Sequence, residues 1–397
     1  MDPETSGLRS GSTPPPATMR IALFTDTYLP TVNGVARTLG RLVAHAHRRG
    51  HEVGLVSTRV SPRDAGGTAF HHQLPGIPLP MYPELQLARP LDRRGMEVLD
   101  SFSPDLVHIA TESTVGWSGR WWARKRKTPL VSSFHTDFPA YLAGYGFGGL
   151  ESSVWRALQL FHSTSRITFC PSTATRRQLR FWGFRQDVRI WSRGVDTETF
   201  SPAWRSPDVR ERMAPGAELI LLYVGRLAPE KRLDVLMEAF PRIRNEVGSR
   251  VALVLVGDGP WMEELEATAG EGIHLVGYKT GADLSRAYAS GDVFVFPSDT
   301  ETFGNVVTEA LASGLPAVAP RKGGVVDSVI PGETGILVPP KDPPAFADAV
   351  VRLVIRDEER RELARRARAF ALRRSWESIL DGLLEDWEEA LGRAPFG

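Results

Sequence analysis

The chain has 397 residues, 42% of them hydrophobic and 24% charged, a composition of globular proteins rather than of disordered, collagenous or disulfide-stapled ones. No apolar run approaches the roughly 18 residues that a membrane-spanning helix needs, and the single cysteine, Cys170, excludes an intrachain disulfide or a cysteine zinc cluster. The net charge of +1 divides into +9 over residues 1–205 and −8 over residues 206–397, so either the first half meets an anionic surface (nucleic acid or anionic lipid) or the asymmetry is chance.

The first half begins with a tail over residues 1–18 that is rich in Pro, Ser, Thr and Gly and is predicted to be disordered. From Met19 onward, short apolar runs alternate with helix-like stretches. The predicted strands are 21–25, 53–57, 106–110, 130–134, 167–171 and 188–191, and the predicted helices include 35–49 and 117–127. Continuous apolar strands that alternate with amphipathic helices indicate a parallel sheet covered on both faces.

The second half repeats this pattern. Its predicted strands are 219–224, 251–256, 273–276, 293–297, 316–319 and 336–338, and its helices are 233–245, 260–269, 282–289, 305–313 and 344–354. The sequence therefore predicts an α/β protein with two Rossmann-like, doubly wound domains, 19–200 and 201–375, that face a deep cleft, followed by a helical segment over 376–397. Ligands of such sheets bind at the carboxyl ends of the strands, with phosphates at helix amino termini.

Two loops carry residues suited to phosphate. Gly34 follows the first strand and opens a helix, where a glycine lets the backbone approach an anion, although a plain helix-entry turn fits equally well. Arg226 and Lys231 follow the strand 219–224 and could neutralise a diphosphate, or simply belong to a solvated basic loop. Residues 144–149 match G-x-G-x-x-G but do not directly follow a predicted strand, and the chain has no P-loop, so a dehydrogenase or a P-loop NTPase has no support.

The most informative segment follows the strand 293–297. Glu301 precedes a predicted helix, Glu309 lies one turn inside it, and the amides of residues 303–306 stand at its amino terminus. Amides there would bind an anion, and the two carboxylates would accept hydrogen bonds from sugar hydroxyls on either side of it. A capping carboxylate plus an exposed helical glutamate is the alternative interpretation.

Taken together, these motifs resemble family-4 glycosyltransferases, which are retaining enzymes with the B-type fold. The resemblance runs from Met19 through nearly the whole chain, and the spacing of Glu301 and Glu309 matches the family's E-x7-E motif. The other matching segments are FTDTYLP (24–30), NGV (33–35), SFHTDF (133–138), RGVD (193–196), VGR (224–226), EK (230–231), VGDGP (256–260) and GG (323–324). The chain resembles GDP-mannose-dependent α-mannosyltransferases that act on glycolipids, and plant-type sulfolipid synthases look similar.

The resemblance implies that the domain 19–200 binds the acceptor, that the domain 201–375 binds the nucleotide sugar, and that the helix over 376–397 crosses back onto the first domain. It also implies residue roles. Arg226 and Lys231 would hold the donor diphosphate, Glu301 would bind hydroxyls of the donor sugar, and Glu309 would bind the ribose. His135 would lie near the reacting centre, although a lone histidine after a strand is otherwise often a satisfied polar residue. The further donor-binding residues that it implies are Gly34, Tyr278, Lys279, Phe303, Gly304, Asn305 and Val306, and the acceptor residue is Asp137. Relatives often have proline where Val325 stands, which leaves the geometry of that loop open.

The expected reaction needs no cofactor and no metal, because the sequence has no Asp-x-Asp and no clustered histidines and aspartates at ligand spacing. The expected partners are a nucleotide-sugar donor and a lipid-linked or sugar acceptor, not nucleic acid. The alternatives are a UDP-sugar-dependent glucosyl- or sulfoquinovosyl-type transferase, a glycogen- or sucrose-type synthase, and a non-catalytic nucleotide-sugar-binding protein.

A basic, tryptophan-containing stretch predicts peripheral contact with the anionic inner face of the cell membrane by a cytoplasmic enzyme. The residues expected to make this contact are Trp121, Trp122, Arg124, Lys125, Arg126 and Lys127. Tryptophans in the core beneath a solvated basic face are the alternative. The glycine-rich residues 144–149 suggest a mobile lid or an ordinary turn.

Overall fold

A computed structural model describes residues 18–31, 33–58, 66–79, 82–135, 139, 149 and 151–392. Its strands are β1 (Arg20–Phe24), β2 (Glu52–Ser57), β3 (Thr68–Gln73), β4 (Gly76–Leu79), β5 (Tyr82–Ala88), β6 (Leu106–Ile109), β7 (Leu130–Ser133), β8 (Ile167–Cys170), β9 (Asp187–Ile190), β10 (Leu219–Val224), β11 (Val251–Val256), β12 (Ile273–Leu275), β13 (Val293–Val295), β14 (Ala317–Pro320) and β15 (Gly335–Val338).

The helices of the first half are α1 (Gly34–Arg48), α2 (Arg93–Phe102), α3 (Thr114–Arg126), α4 (Glu151–His162) and α5 (Thr173–Phe181). Those of the second half are α6 (Pro207–Met213), α7 (Leu233–Val247), α8 (Met262–Thr268), α9 (Gly281–Ala289), α10 (Asn305–Ala312), α11 (Pro343–Ile355), α12 (Asp357–Leu372) and α13 (Trp376–Gly392). No helix within the described part of the chain is both long and apolar enough to cross a bilayer.

Two parallel sheets organise the chain, as the alternation of strands and helices predicts. The first has the order β3-β2-β1-β6-β7-β8-β9 and the second the order β12-β11-β10-β13-β14-β15, while β4 and β5 form a separate antiparallel pair. The strand order reverses between β1 and β6 in one sheet and between β10 and β13 in the other. Ligands bind outside the carboxyl ends of the strands at such switch points, and the loops after β10 and β13 carry the predicted donor residues.

The last helix completes the core of the first sheet rather than that of the second. Leu383 and Trp387 of α13 pack in one buried cluster with Leu39 of α1 and Trp191, which follows β9. Polar contacts hold the same helix, since Asp381 accepts hydrogen bonds from His45 Nε2 at 2.7 Å and from Arg49 Nε at 2.8 Å. The helical segment predicted from residue 376 therefore crosses back onto the first sheet.

The two chain segments that connect the sheets run against each other. The amide of Val195, on the outward connection, donates to the carbonyl of Arg374 at 3.0 Å. A Cβ atom on Gly194 would lie 2.6 Å from the backbone of Trp376, so only glycine permits this approach. The two connecting segments thus form a compact crossing between the sheets.

Candidate active site

The loop between β13 and α10 is shaped by two glycines. Gly304 stands before the first turn of α10 with a φ of 87°, a left-handed conformation that favours glycine. Gly324 lies so close beneath this loop that a Cβ atom there would be 2.1 Å from the carbonyl oxygen of Thr302. Val325 is fully buried in the 3-10 turn Gly324–Asp327, and it packs close to Gly304.

Lys231 and Glu301 contact each other directly. Lys231 Nζ lies 2.5 Å from Glu301 Oε1, and the Ser298 hydroxyl donates to the same oxygen at 2.9 Å. The two side chains come from loops 70 residues apart in the sequence, after β10 and β13. The structure therefore brings together the predicted diphosphate cation and the predicted sugar-binding carboxylate at one switch point.

Arg226 stands at the open side of the same loop. Its side chain is 65% exposed, and its guanidinium Nη1 is 3.9 Å from Glu230 Oε1, a distance too long for a hydrogen bond. The backbone beneath it is fixed, because the Tyr223 hydroxyl donates to the Arg226 carbonyl at 2.9 Å. A solvated guanidinium on a fixed backbone can turn toward an anion at small cost.

Glu309 lies half-buried on α10, and its partner is a residue that the sequence motifs do not identify. The hydroxyl of Tyr288, on α9, donates to Glu309 Oε2 at 2.8 Å. Burial raises the pKa of Glu309 to about 7, against the opposing effects of the Tyr288 hydrogen bond and of the positive charges of Arg37 and Arg41. Burial and the nearby carboxylate also raise the pKa of Tyr288, so the phenol keeps its proton.

The amino termini of α1 and α10 face each other across the cleft. A Cβ atom on Gly34 would lie 3.3 Å from the side-chain nitrogen of Asn305, so the two predicted donor-binding residues are neighbours. A second contact spans the cleft where Asp327 Oδ2 accepts a hydrogen bond from the amide of Thr173, the first residue of α5. Helix amides from both domains are thus available to one bound anion.

His135 follows β7 and is bonded to a residue whose role the sequence does not indicate. Arg193 Nη2 donates to His135 Nδ1 at 2.8 Å. Burial, followed by the charge of Arg193, holds the pKa of His135 well below its usual range, so the imidazole is neutral. Arg193 stands in the RGVD segment, and that segment was the only signal that could have pointed to it.

The remaining predicted site residues differ in their exposure, and some of them lie outside the described part of the chain. Tyr278 is 66% exposed, and it adjoins Gly277, whose carbonyl accepts from the amide of Gly257 at 3.1 Å at the carboxyl ends of the neighbouring strands. Phe303 is buried beneath the start of α10, and Lys279 and Val306 are partly exposed. Asp137 and nearly all of the glycine-rich residues 144–149 lie outside the described residues.

The predicted membrane-contacting stretch on α3 needs one correction. Trp122 is 3% exposed and packs in a core cluster beneath the first sheet, so its inclusion was wrong. Consecutive helical residues point about 100° apart, which turns Trp122 inward while Trp121, 49% exposed, points to solvent. Lys125 Nζ lies 4.9 Å from the Trp121 ring centroid, and Arg124 and Lys127 are also exposed. Arg126 is exposed too, but it is paired with Asp100.

Among the described side chains there is no group of three or more His, Cys, Asp and Glu that could hold a metal ion. What the loops after β10 and β13 assemble is instead a set of cations, helix amides and carboxylates. This combination can bind a diphosphate and a sugar side by side.

Known proteins with similar sequences are glycosyltransferases. A family model described as Glycosyltransferase Family 4 matches residues 32–199, and one described as Glycosyl transferases group 1 matches residues 218–356. A GDP-mannose-dependent alpha-mannosyltransferase of Mycobacterium tuberculosis (strain CDC 1551 / Oshkosh) is 35% identical over 94% of this chain and 98% of its own length. A sulfoquinovosyl transferase of Arabidopsis thaliana is 34% identical over 88% of this chain and 69% of its own length.

Solved structures agree on the fold. A sucrose-phosphate synthase from Thermosynechococcus elongatus superposes with a TM-score of 0.73 at 22% identity, over 95% of this chain and all of that one. An Anabaena protein in complex with UDP and glucose superposes with a TM-score of 0.70 at 18% identity, over 94% of this chain and all of that one.

Proposed function

The chain belongs to the family-4 glycosyltransferases, and from that premise we propose that it transfers mannose from GDP-mannose to a hydroxyl group of a glycolipid. The observation that carries the proposal is the Lys231–Glu301 pair beneath the amino terminus of α10, with Glu309 one turn further along that helix. Three relatives named as GDP-mannose-dependent alpha-mannosyltransferases, 30–35% identical over 94% of this chain, support mannose as the sugar and guanine as the base.

Donor binding would separate the Lys231–Glu301 pair. Glu301 would then accept hydrogen bonds from sugar hydroxyls, while the ammonium of Lys231 moves to the diphosphate beside Arg226. Opening the ion pair costs little, because sugar hydroxyls replace Lys231 as hydrogen-bond donors to Glu301 and the anionic diphosphate replaces Glu301 as the partner of Lys231. Glu309 would bind the ribose hydroxyls, and the 277–279 loop would lie against the base.

The chemical step proposed is transfer with retention. The bond between the sugar C1 and the diphosphate oxygen breaks, the acceptor oxygen bonds to C1 from the same face, and its proton passes to the departing phosphate oxygen. Arg226, Lys231 and the amides of residues 303–306 would stabilise the charge that develops on the diphosphate. Neutral His135 would donate a hydrogen bond to an oxygen of the bound sugar. No metal ion and no cofactor is required by this scheme.

The acceptor is proposed to be presented at a membrane surface. Trp121 with Lys125, Arg124 and Lys127 forms an exposed aromatic and basic face on α3, and Leu160 of the neighbouring α4 is also exposed. Arg120 joins the two helices by donating to the Leu160 carbonyl at 3.2 Å. Aromatic rings prefer the bilayer interface and basic side chains prefer anionic headgroups, so this face suits an anionic bilayer.

Thermal unfolding with GDP, UDP or ADP, each without metal, tests the donor assignment. A nucleotide at 100 times its Kd stabilises the folded protein by about 2.7 kcal/mol, which raises Tm by roughly 3 °C at about 2.1 cal/mol/K per residue. We expect GDP alone to do so. A response to UDP alone would replace mannose with a glucose- or sulfoquinovose-type sugar, and no response to any nucleotide would refute the diphosphate roles of Arg226 and Lys231.

The acceptor is tested by transfer of labelled mannose from GDP-mannose. Monoglucosyl diacylglycerol in vesicles of anionic phospholipid is compared with the same vesicles lacking glycolipid and with free glucose in solution. Product in the glycolipid fraction is expected. Equal or better transfer to free glucose would contradict a lipid-linked acceptor and favour a synthase that acts on soluble sugars.

A further inference from the structure

Arg193 is a buried cation that forms no ion pair with a carboxylate in the described part of the chain. The residue is 5% exposed, and its Nη1 donates to the carbonyl of Trp191 at 2.9 Å while its guanidinium lies 5.1 Å from the Trp191 ring centroid. Its remaining strong contact is the 2.8 Å hydrogen bond from Nη2 to His135 Nδ1. Burying an unpaired cation is unfavourable for stability, so we look for the contribution of Arg193 in function rather than in stability.

This hydrogen bond dictates where the His135 proton resides. A guanidinium only donates, so Nδ1 of His135 must accept and cannot carry a proton. The neutral imidazole is therefore protonated on Nε2, and Nε2 is buried without a hydrogen-bond partner among the described residues. An N–H in that state can donate a hydrogen bond to an oxygen of a bound molecule.

The surroundings oppose a second proton on the imidazole. The titratable and charged groups that affect it are Arg193, His108 of β6 and His162 of α4, and all three lower the pKa of His135 in addition to burial. Adding a proton to Nδ1 would also set two N–H groups against each other. His135 can consequently donate a hydrogen bond through Nε2, but it cannot accept the proton of the acceptor hydroxyl.

Arg193 is also fixed to the crossing of the two connecting segments. The next residue, Gly194, lies against the backbone of Trp376, and Val195 is bonded to Arg374. A change in the angle between the two domains would therefore move Arg193 and, through it, the imidazole.

We propose that Arg193 is a positioning residue for the transfer reaction: it holds His135 in the Nε2-protonated form and couples its placement to the domain crossing. The inference rests on the proposed function, since the place of His135 beside the donor sugar belongs to that proposal. It predicts that Arg193 acts on turnover only through His135.

Nitrogen-15 NMR of histidine side chains in the full-length protein tests the contact without any substrate. His135 is assigned by its loss in H135Q. We expect an Nε2-protonated imidazole that does not titrate between pH 5 and pH 8, and in R193Q a mixture of the two neutral forms that begins to titrate in that range. Identical His135 signals in R193Q and the unmodified protein would overturn the proposal.

A matched control separates this effect from general loss of stability. Arg368 is partly buried and donates to the carbonyls of Phe200 and Ala312 at 2.8 and 2.6 Å, in contacts that do not include His135. R368Q should lower Tm and leave the His135 signals unchanged. A change of the His135 signals in R368Q as large as in R193Q would mean that unfolding, not the contact, is being observed.

Kinetics with GDP-mannose tests the coupling to catalysis. Loss of a hydrogen bond from a charged group costs roughly 10–100-fold, so R193Q should lower kcat by about that factor with the donor KM within threefold, and R193K should recover part of it. In the H135Q background, R193Q should change the residual kcat by less than twofold. Equal losses in both backgrounds would refute action through His135. Absence of turnover in the unmodified protein would instead refute the proposed donor, while the NMR result would still decide the role of Arg193.

Discussion

The pKa of Glu309 predicts that nucleotide-sugar affinity and protein stability change in opposite directions with pH. Burial raises this pKa to about 7, so the carboxyl is mostly protonated at pH 6 and mostly ionised at pH 8. Ribose hydroxyls donate better to the ionised form. The unfolded chain, with an ordinary carboxyl, binds this proton less tightly than the folded protein does, so the free energy of unfolding falls as pH rises from about 4.5 to about 7.

The expected magnitudes follow from the size of the shift. Ionisation rises about tenfold between pH 6 and pH 8 for a pKa of about 7, so affinity for GDP-mannose should rise by a similar factor. At 1.36 kcal/mol per pH unit, the shift corresponds to a stability loss of about 3 kcal/mol, which the exposed part of the half-buried side chain reduces. E309Q removes both dependences and should be the more stable protein at pH 8.

Calorimetric titration with GDP-mannose in the absence of acceptor measures the affinity, since its diphosphate does not itself ionise between pH 5 and pH 8. Urea unfolding over the same pH range measures the stability. Y288F removes a hydrogen bond that lowers the Glu309 pKa, so it should move both midpoints to higher pH. E271Q, an exposed substitution remote from the cleft, is the control. Affinity that is independent of pH, or that weakens toward pH 8, would refute the reasoning.

Three further substitutions follow from the described contacts. K231M should weaken GDP binding about 10–100-fold by calorimetry, because a charge-assisted hydrogen bond contributes about 1.5–3 kcal/mol. The exposed substitution K341M should leave GDP binding unchanged. Equal GDP binding by the two variants would contradict the role of Lys231 in holding the diphosphate. G324A should cost roughly 3 kcal/mol in urea unfolding, because its Cβ would meet Thr302, whereas G382A, with open space around it, should be neutral or stabilising. W122A should lower the free energy of unfolding by about 3–5 kcal/mol and leave co-sedimentation with anionic vesicles intact. W121A should reduce co-sedimentation at nearly unchanged Tm. The reverse pattern would contradict the proposed membrane face.

Strands and helices that are marked by a local pattern of apolar and turn residues were predictable from the sequence. The strands of the second sheet and α10 were predicted to within two residues, because continuous apolar runs and turn residues mark them. The sixteen-residue helix α12 was not, since its sequence DEERRELARRARAFAL is dominated by charge and buries only four side chains. The hairpin of β4 and β5 also escaped, because its strands lack a continuous apolar run.

Site residues that belong to a local sequence motif were predictable, whereas partners that reach the site from other elements of the fold were not. Lys231 and Glu301 could each be predicted, but their contact arises only when the loops after β10 and β13 meet at the switch point. Tyr288 and Arg193 reach Glu309 and His135 from separate elements, and nothing in local spacing indicates this. Trp122 was misassigned because composition identifies an aromatic, basic helix without revealing which face meets the sheet.

The return of α13 to the first sheet makes the second domain an insertion within the first. Both β1 and α13 belong to the first domain, although 351 residues separate the start of α13 from the end of β1 in the sequence. During synthesis, the second domain can bury its own core before the helix carrying Leu383 and Trp387 has been made. Because domains fold as units, the first domain should begin folding first but be completed last. Until α13 has been made, the apolar surface that this helix covers stays exposed and can bind chaperones or associate wrongly.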